Sequence, residues 1–208
     1  MAARFLDDEA RAAFKRAVEA VENASAVEVV VAVRRASSRY LHANAVVAIA
    51  VAFAALAFTL YAEHAFPLVA ILVDPFVLGG LAGAAVQAVP AVKRALTPAA
   101  ERHRAVRRAA RATFVERGVH ATTGRSGLLV YISWLEREVA LVADLGLARA
   151  LADDTLADAE RALSAAVARG GAGVARELEA LAPRMARAMA HSPDDVNELP
   201  DAVDEGAP

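Results

Sequence analysis

An α/β fold is predicted: a small sheet of about three to four strands packed with helices and interrupted by an inserted two-helix transmembrane hairpin. Three observations predict it. Residues 43–62 and 66–89 are apolar runs separated only by the polar "EHA", and each is about the 20 residues needed to cross a hydrocarbon core. Segments rich in β-branched residues lie on both sides of that pair, at 26–35 and at 127–144. Neither side alone has enough strands for a stable sheet, so the strands are expected to pair across the insertion.

Residues 5–24 begin with Asp7, Asp8 and Glu9, which favour a helix N-terminus through the macrodipole. Leu6, Ala10, Phe14, Ala17 and Val21 recur at three- and four-residue spacing, one apolar stripe of a helix. In "AVEVVVAVRR" (26–35), Val27, Val29, Val31 and Val33 line one face, while Val30 and Ala32 are apolar on the other. A strand apolar on both faces is expected at the centre of a sheet with helices on both sides.

After the hairpin, Thr97-Pro98 predicts a helix start, with threonine as N-cap and proline at the first position. That helix is expected to reach about Arg117 and stop at Gly118. "GLLVYISW" (127–134) and "REVALVAD" (137–144) predict an antiparallel hairpin. Helices are expected at 152–168 and 172–190, separated by "RGGAG". "SPDDVNELPDAVDEGAP" carries six acids and three prolines and no basic residue, and is expected to be an extended, weakly ordered acidic tail. The expected organisation is thus 1–40 and 93–191 as two parts of one domain, 41–92 as the hairpin, and 192–208 as the tail.

Composition narrows the function classes. The 208 residues are 57% hydrophobic, without cysteine, and carry a net charge of −2; mean hydropathy is +0.36. Thiolate chemistry and cysteine-rich zinc sites are excluded. No global basic field recruits nucleic acid. "MAARFLDDEARAAFKRAVEA" is acidic and amphipathic and does not read as a signal peptide. Between Arg39 and Lys93 there is no lysine or arginine, and the only acids are Glu63 and Asp74. Basic residues flank both outer ends of the hairpin and are absent from its turn. The positive-inside rule then puts both termini in the cytoplasm, with two spans in the cell inner membrane.

Asp74-Pro75 lies inside the second run. A helix from about Pro67, kinked at Pro75, keeps backbone groups paired in lipid better than a helix starting at Pro75. Asp74 then sits in the outer half of the bilayer, reaching toward headgroups or toward Thr59. Gly79 and Gly83 form a G-x-x-x-G face for close helix packing, within the hairpin or between copies of the chain.

No catalytic signature is present: no Walker loop, G-x-S-x-G, H-E-x-x-H or G-x-G-x-x-G after a strand. Arg104, Arg107, Arg108 and Arg111 share a helix face that can meet phosphate, an acidic partner or anionic headgroups, or simply face solvent. His120, Thr122, Thr123, Arg125 and Ser126 precede the middle strand, where hydroxyls, an arginine and glycines can hold an anion or satisfy the local backbone. Glu28 is the acid of the first strand, placed to pair with Arg125 or His120 if the strands are neighbours. Asp144, Asp153 and Asp154 flank the last strand and the next helix, with Asp153 or Asp154 expected as N-cap. Glu28, His120 and Asp144 are the weak candidates for catalysis.

"AVEVVVAVRRASSRY", "GVHATTGRSGLLVYIS" and "SPDDVNELP", spread over nearly the whole chain, resemble the TPM-domain family, in particular bacterial membrane members with a hairpin after the first strand. The resemblance implies a small α/β sandwich. It implies either a modulator or assembly factor of membrane complexes, or a weak metal-dependent acid phosphatase. The metal- and phosphatase-linked pattern has an acid and an asparagine before the glycine that opens the middle strand; here Arg125-Ser126 precede Gly127. An arginine in place of a carboxylate disfavours both metal binding and hydrolysis. The expectation is therefore a non-catalytic module without cofactor, with membrane lipid and an unidentified protein as partners and no nucleic acid.

Overall fold

The computed structural model describes residues 5–152, 154–191, 198–199 and 202–206. In chain order the elements are α1 (Asp8–Ala24), β1 (Val29–Arg34), α2 (Leu41–Tyr61), α3 (Leu68–Ala85), α4 (Pro90–Leu96), α5 (Ala99–Glu116), β2 (Leu128–Ser133), β3 (Glu138–Ala143), α6 (Leu145–Ala150), α7 (Thr155–Ala166), α8 (Gly171–Glu179) and α9 (Ala182–Ala188). They form two compact units, Met1–Ser37 with His103–Pro208, and Ser38–Arg102.

The first unit is built on a mixed sheet of order β1-β2-β3. β1 runs parallel to β2, from Val29 opposite Leu128 to Arg34 opposite Ser133. β2 and β3 form the antiparallel hairpin, with Ser133 opposite Glu138. The strands on either side of the insertion therefore pair directly. Val29, Val31, Val33, Leu128, Val130, Ile132, Val139 and Leu141 face a core completed by Phe14 and Val21 of α1, Leu163 of α7, Leu178 of α8 and Met185 of α9. The other face, with Val30, Ala32, Leu129, Tyr131 and Ala140, is covered by Val106 and Ala110 of α5 and by Val119.

β1 is buried on both faces, as its sequence implies, yet it is an edge strand and β2 is the central one. Helices on both faces bury side chains without supplying a hydrogen-bonded neighbour. Both edges are closed by other means, as exposed edges invite pairing. On β3, the Val139 N–H donates to Ser164 Oγ at 2.9 Å and the Leu141 N–H to Glu160 Oε1 at 2.8 Å, both acceptors on α7. On β1, the Val29 N–H donates to Glu22 Oε1 at 3.0 Å, and Asp204 bridges Ala32 in parallel.

α1 opens at Asp8 rather than at residue 5, because Asp7 serves as its cap: the Asp7 carboxylate accepts from the Ala10 N–H at 2.8 Å, and Ala10, Phe14, Ala17 and Val21 of the expected stripe are buried. The segment predicted as one helix over 172–190 is two. Pro183 lies in the first turn of α9; inside a continuous helix it would lack an N–H for the carbonyl four residues back. α6 is an additional short helix, capped by Asp144, whose Oδ1 accepts from the Leu145 N–H at 2.7 Å. Asp154 flanks α7 with φ 66° and makes no side-chain cap bond; Asp153 lies outside the described residues. At the far end of the sheet Ser37, the last residue of this unit before the insertion, is held firmly. Its N–H donates to Glu136 Oε1 at 2.9 Å, its hydroxyl to Ser133 Oγ at 2.8 Å, and it contacts the Tyr131 hydroxyl at 3.2 Å. Burial pushes the Tyr131 phenol up, partly opposed by that bond to Ser37.

In the second unit, α2 and the stretch Leu68–Ala88 are each 21 residues, long and apolar enough to cross a membrane; only 6% and 22% of their apolar windows are buried by the chain itself. A core helix of a soluble protein would be mostly covered. Gly79 and Gly83 face α2: a Cβ at Gly79 would come 2.5 Å from the Ala48 carbonyl oxygen, and one at Gly83 2.9 Å from that of Asn44. The small-residue face thus packs within the hairpin. α3 continues through Pro75, and Asp74 is exposed. Thr59 donates to the Leu56 carbonyl of its own helix at 2.9 Å, so its hydroxyl proton is engaged there.

The base of the hairpin is closed by its own basic residues. Lys93 Nζ donates to Gln87 Oε1 at 2.6 Å and to the Arg39 carbonyl at 3.4 Å. Arg102 Nη1 donates to the carbonyls of Arg94 and Thr97, at 2.8 and 2.5 Å, just where α4 leaves acceptors unpaired. The Thr97 hydroxyl lies 3.0 Å from His42 Nε2, and α5 opens at Ala99, after the expected Thr97-Pro98 start.

Candidate functional site

The start of β1, the start of β2 and the end of β3 lie at one end of the sheet, where the Leu128 N–H donates to the Glu28 carbonyl at 2.8 Å and the Asp144 N–H to that of Gly127 at 2.8 Å. The loop that enters β2 is shaped by close backbone approach. Gly118 ends α5 at φ 66°, the left-handed region that glycine adopts freely. A Cβ on Gly127 would come 2.1 Å from the Val119 carbonyl oxygen, so no side chain fits there.

Within the loop, the buried Thr122 uses Oγ1 to accept the Ser126 N–H at 3.0 Å, closing the turn. Arg125 holds a left-handed φ of 51°. Its Nη1 donates to the His120 carbonyl at 3.3 Å and lies 3.7 Å from Asp144 Oδ1. The His120 ring sits 6.2 Å from that of Phe114. Asp144 is 5% exposed, and its Oδ2 has no hydrogen-bond partner among the described residues.

Two further contacts fill this end of the sheet. The Thr123 N–H points at the Glu198 carboxylate, 3.2 and 3.1 Å from its two oxygens. Glu28 Oε2 in turn accepts the N–H groups of Glu198 and Leu199, both at 3.2 Å. Residues 198–199 are thus gripped from both sides: their backbone by Glu28, the Glu198 side chain by the loop. Of the loop, only the Thr123 N–H meets the Glu198 carboxylate; the Thr122 hydroxyl satisfies the local backbone and Arg125 turns to His120 and Asp144. Sequence reading singled out Glu28 and the loop but missed Glu198; an acid inside the "PDDVNELP" block was the available signal. Residues 192–197 and 200 of that block lie outside the described residues.

Glu28, Thr122, Thr123, Arg125, Ser126 and Asp144 are therefore brought to one end of the sheet. The arginine face of α5 is divided. Arg107 Nη2 donates to Glu160 Oε2 at 2.8 Å, the same carboxylate that caps the β3 edge, and Arg107 Nε donates to His103 Nε2 at 3.1 Å. His103 meets the Glu138 carboxylate through Nδ1. Arg104, Arg108 and Arg111 are exposed and without partners among the described residues. Asp74, Gly79 and Gly83 belong to the second unit. Among the described residues no three carboxylate or imidazole groups converge as a metal-holding set.

No family model matches the chain, and no curated protein matches it significantly. The NMR structure of the BA42 protein from the psychrophilic bacterium Bizionia argentinensis is similar, at 15% identity and a TM-score of 0.58, covering 97% of this chain and 96% of that one. At this identity the likeness concerns the fold alone.

Proposed function

We propose that this is an integral membrane protein of the TPM kind. In this reading its hairpin spans the inner membrane, both termini are cytoplasmic, and its α/β domain is a non-catalytic interaction or assembly module for a membrane complex. The carrying observation is the occupancy of the candidate site. The Thr123 N–H is engaged by Glu198, the Glu28 carboxylate by residues 198–199, and the Thr122 hydroxyl by Ser126. A site organised to grip a chain segment suits holding a protein better than turning over a phosphate ester. The exposed apolar surface of α2 and α3, with Phe53 68% and Phe76 72% exposed, favours lipid around the hairpin. The hairpin ends return to each other through Lys93 and Arg39, which suits flanks on one side of a bilayer.

A weak metal-dependent phosphatase of the TPM type is the second reading, favoured by the buried, unpartnered Asp144 Oδ2. The two separate on detergent-purified full-length chain assayed with an aryl phosphate, with and without chelator. No chelator-sensitive turnover is expected. Turnover that disappears both with chelator and in Asp144→Asn establishes the phosphatase instead. A C-terminal reporter active only in the cytoplasm tests the topology; activity outside reverses it.

A further inference from the structure

The two edges of the sheet are closed by different kinds of cover. β3 is sealed by Ser164 and Glu160 of α7, a helix whose Ala159, Leu163 and Ala166 are fully embedded in the core. β1 is sealed by residues 202–206, distant in sequence. The Asp204 N–H donates to the Val31 carbonyl and the Val33 N–H to the Asp204 carbonyl, both at 2.8 Å. This is a single parallel bridge, at Ala32.

Side chains read this short strand. The Asp204 carboxylate is 2.6 Å from Arg34 Nη2, 2.7 Å from both Arg117 Nε and Nη2, and 3.0 Å from the Gly206 N–H. Arg34 Nη1 also donates to the Asp204 carbonyl at 2.7 Å. Glu205 pairs with Arg11 Nη2 at 2.8 Å. Val203 packs against the main core. Arginines from α1, the end of β1 and the turn after α5 thus converge on two adjacent acids, while the backbone bridge needs no particular side chain. This is β-strand addition, with main-chain bonds for affinity and side-chain contacts for specificity.

We propose that the β1 edge, with Arg11, Arg34 and Arg117, is a receptor for an extended acidic strand. Residues 202–206 are its resident ligand, and a Val-Asp-Glu-type segment of a partner protein takes the same place. The partner is chosen by chemistry. Three cationic forks require two successive acids on an extended backbone, and a small apolar residue must precede them to meet the core. A single backbone bridge and the exposed Arg11–Glu205 pair make the resident strand the weaker of the two edge covers, so local opening exposes β1 while the rest of the sheet stays closed. The inference rests on the interaction-module reading and names the surface that serves it.

The test uses the full-length chain in detergent and a fluorescent peptide with the sequence of residues 198–206. A charge-reversed variant, Asp204→Lys with Glu205→Lys, repels its own segment and leaves the edge open. This variant is expected to bind the peptide at least tenfold more tightly than the natural chain, whose tethered segment competes at high effective concentration. Binding is expected to weaken with salt. It is also expected to fall at least tenfold when the peptide carries Asp204→Ala or the protein also carries Arg34→Gln. Equal affinity of the two chains, or no binding by a variant shown to be folded by circular dichroism, overturns the proposal. So does an opened variant that dimerises without binding peptide, since the occupant would then be a second copy. If the variant fails to fold, amide exchange on the natural chain decides. Val33 and Asp204 are expected to exchange faster than Val139 and Leu141; exchange of all four only through global unfolding overturns the proposal. A phosphatase result leaves these measurements untouched, so the two readings fail separately.

Discussion

β1 and α2 are both runs of small and branched apolar residues, and the chain treats them in opposite ways. Val29, Val30, Val31, Ala32 and Val33 are at most 8% exposed. In α2, Val46, Ile49 and Phe53 are 50%, 58% and 68% exposed. The chain supplies the cover for the strand and leaves most of the helix uncovered. Hydrophobic burial is roughly proportional to area removed from water, so β1 realises its driving force within the chain while most of the apolar area of α2 stays uncovered by it. The contrast also separates the kinds of contact: the helices meet each other through glycine and alanine, the sheet meets its helices through large side chains.

This comparison can be broken by substitution. Ile132→Ala, at a fully buried position of β2, is expected to destabilise the α/β unit by about 3 kcal/mol. Phe53→Ala is expected to leave that unit within about 0.5 kcal/mol of the natural chain. Urea denaturation followed by circular dichroism in detergent reads both; equal losses erase the distinction. Phe53→Arg is expected to cost about 2.5–3.5 kcal/mol of membrane insertion and to empty the membrane fraction of cells, whereas Val115→Arg, on the exposed side of α5, does not. Retention of Phe53→Arg in membranes would mean that the hairpin is covered by protein.

A finer test lies inside the hairpin. Gly83→Leu forces α3 away from α2 and is expected to cost about 1–3 kcal/mol, measured as thermal stability in detergent. Gly80→Ala, where an added Cβ meets nothing within 4 Å, is expected to be neutral or better.

The smallest effect is at the β1 edge. Asp204→Asn is expected to cost about 1 kcal/mol and to speed amide exchange at Val33. Burial pushes the Asp204 carboxyl up, but bonds from Arg34 and the Gly206 N–H, and the charges of Arg34 and Arg117, outweigh it and hold the group below the usual carboxylate range. Its lowered value means that the contact contributes fully above the ordinary carboxylate value of about 3.9 and is lost as pH falls through the folded value. Arg11 and Glu205 pair on the same segment. Exchange at Val33 is therefore expected to be flat from neutral down to mildly acidic pH, after correction for intrinsic rates, and to rise below about pH 4. A rise already near neutrality would point to a different group.

How far the fold was legible follows from which interactions are local. The α1 stripe and the acids of its first turn are readable within four residues, and both are present. The apolar hairpin is readable from length and missing charge. That strands on the two sides of the insertion pair followed from strand count alone. The edge position of β1 was not legible, because apolar faces report helices above and below a strand and say nothing of its neighbours in the sheet. Arg107 sat on the same helix face as Arg104, Arg108 and Arg111, but its partner Glu160 is 53 residues away. The turn chemistry of the loop before β2 was legible, since Thr122 closes it on Ser126, but its contact with Glu198 was not, as Glu198 reaches Thr123 from 75 residues downstream.

The sequence by itself determined the α/β class, the two long apolar helices with no lysine or arginine between Arg39 and Lys93, the stripe of the first helix and the glycine face of the hairpin. Each rests on periodicity, composition or turn chemistry that neighbouring residues specify. Only the tertiary structure decided which strand lies at the edge, which acids close the two edges, and which carboxylate occupies the loop. Those choices depend on charges and backbone groups brought together across most of the chain, where many pairings are compatible with the same local pattern and burial selects among them.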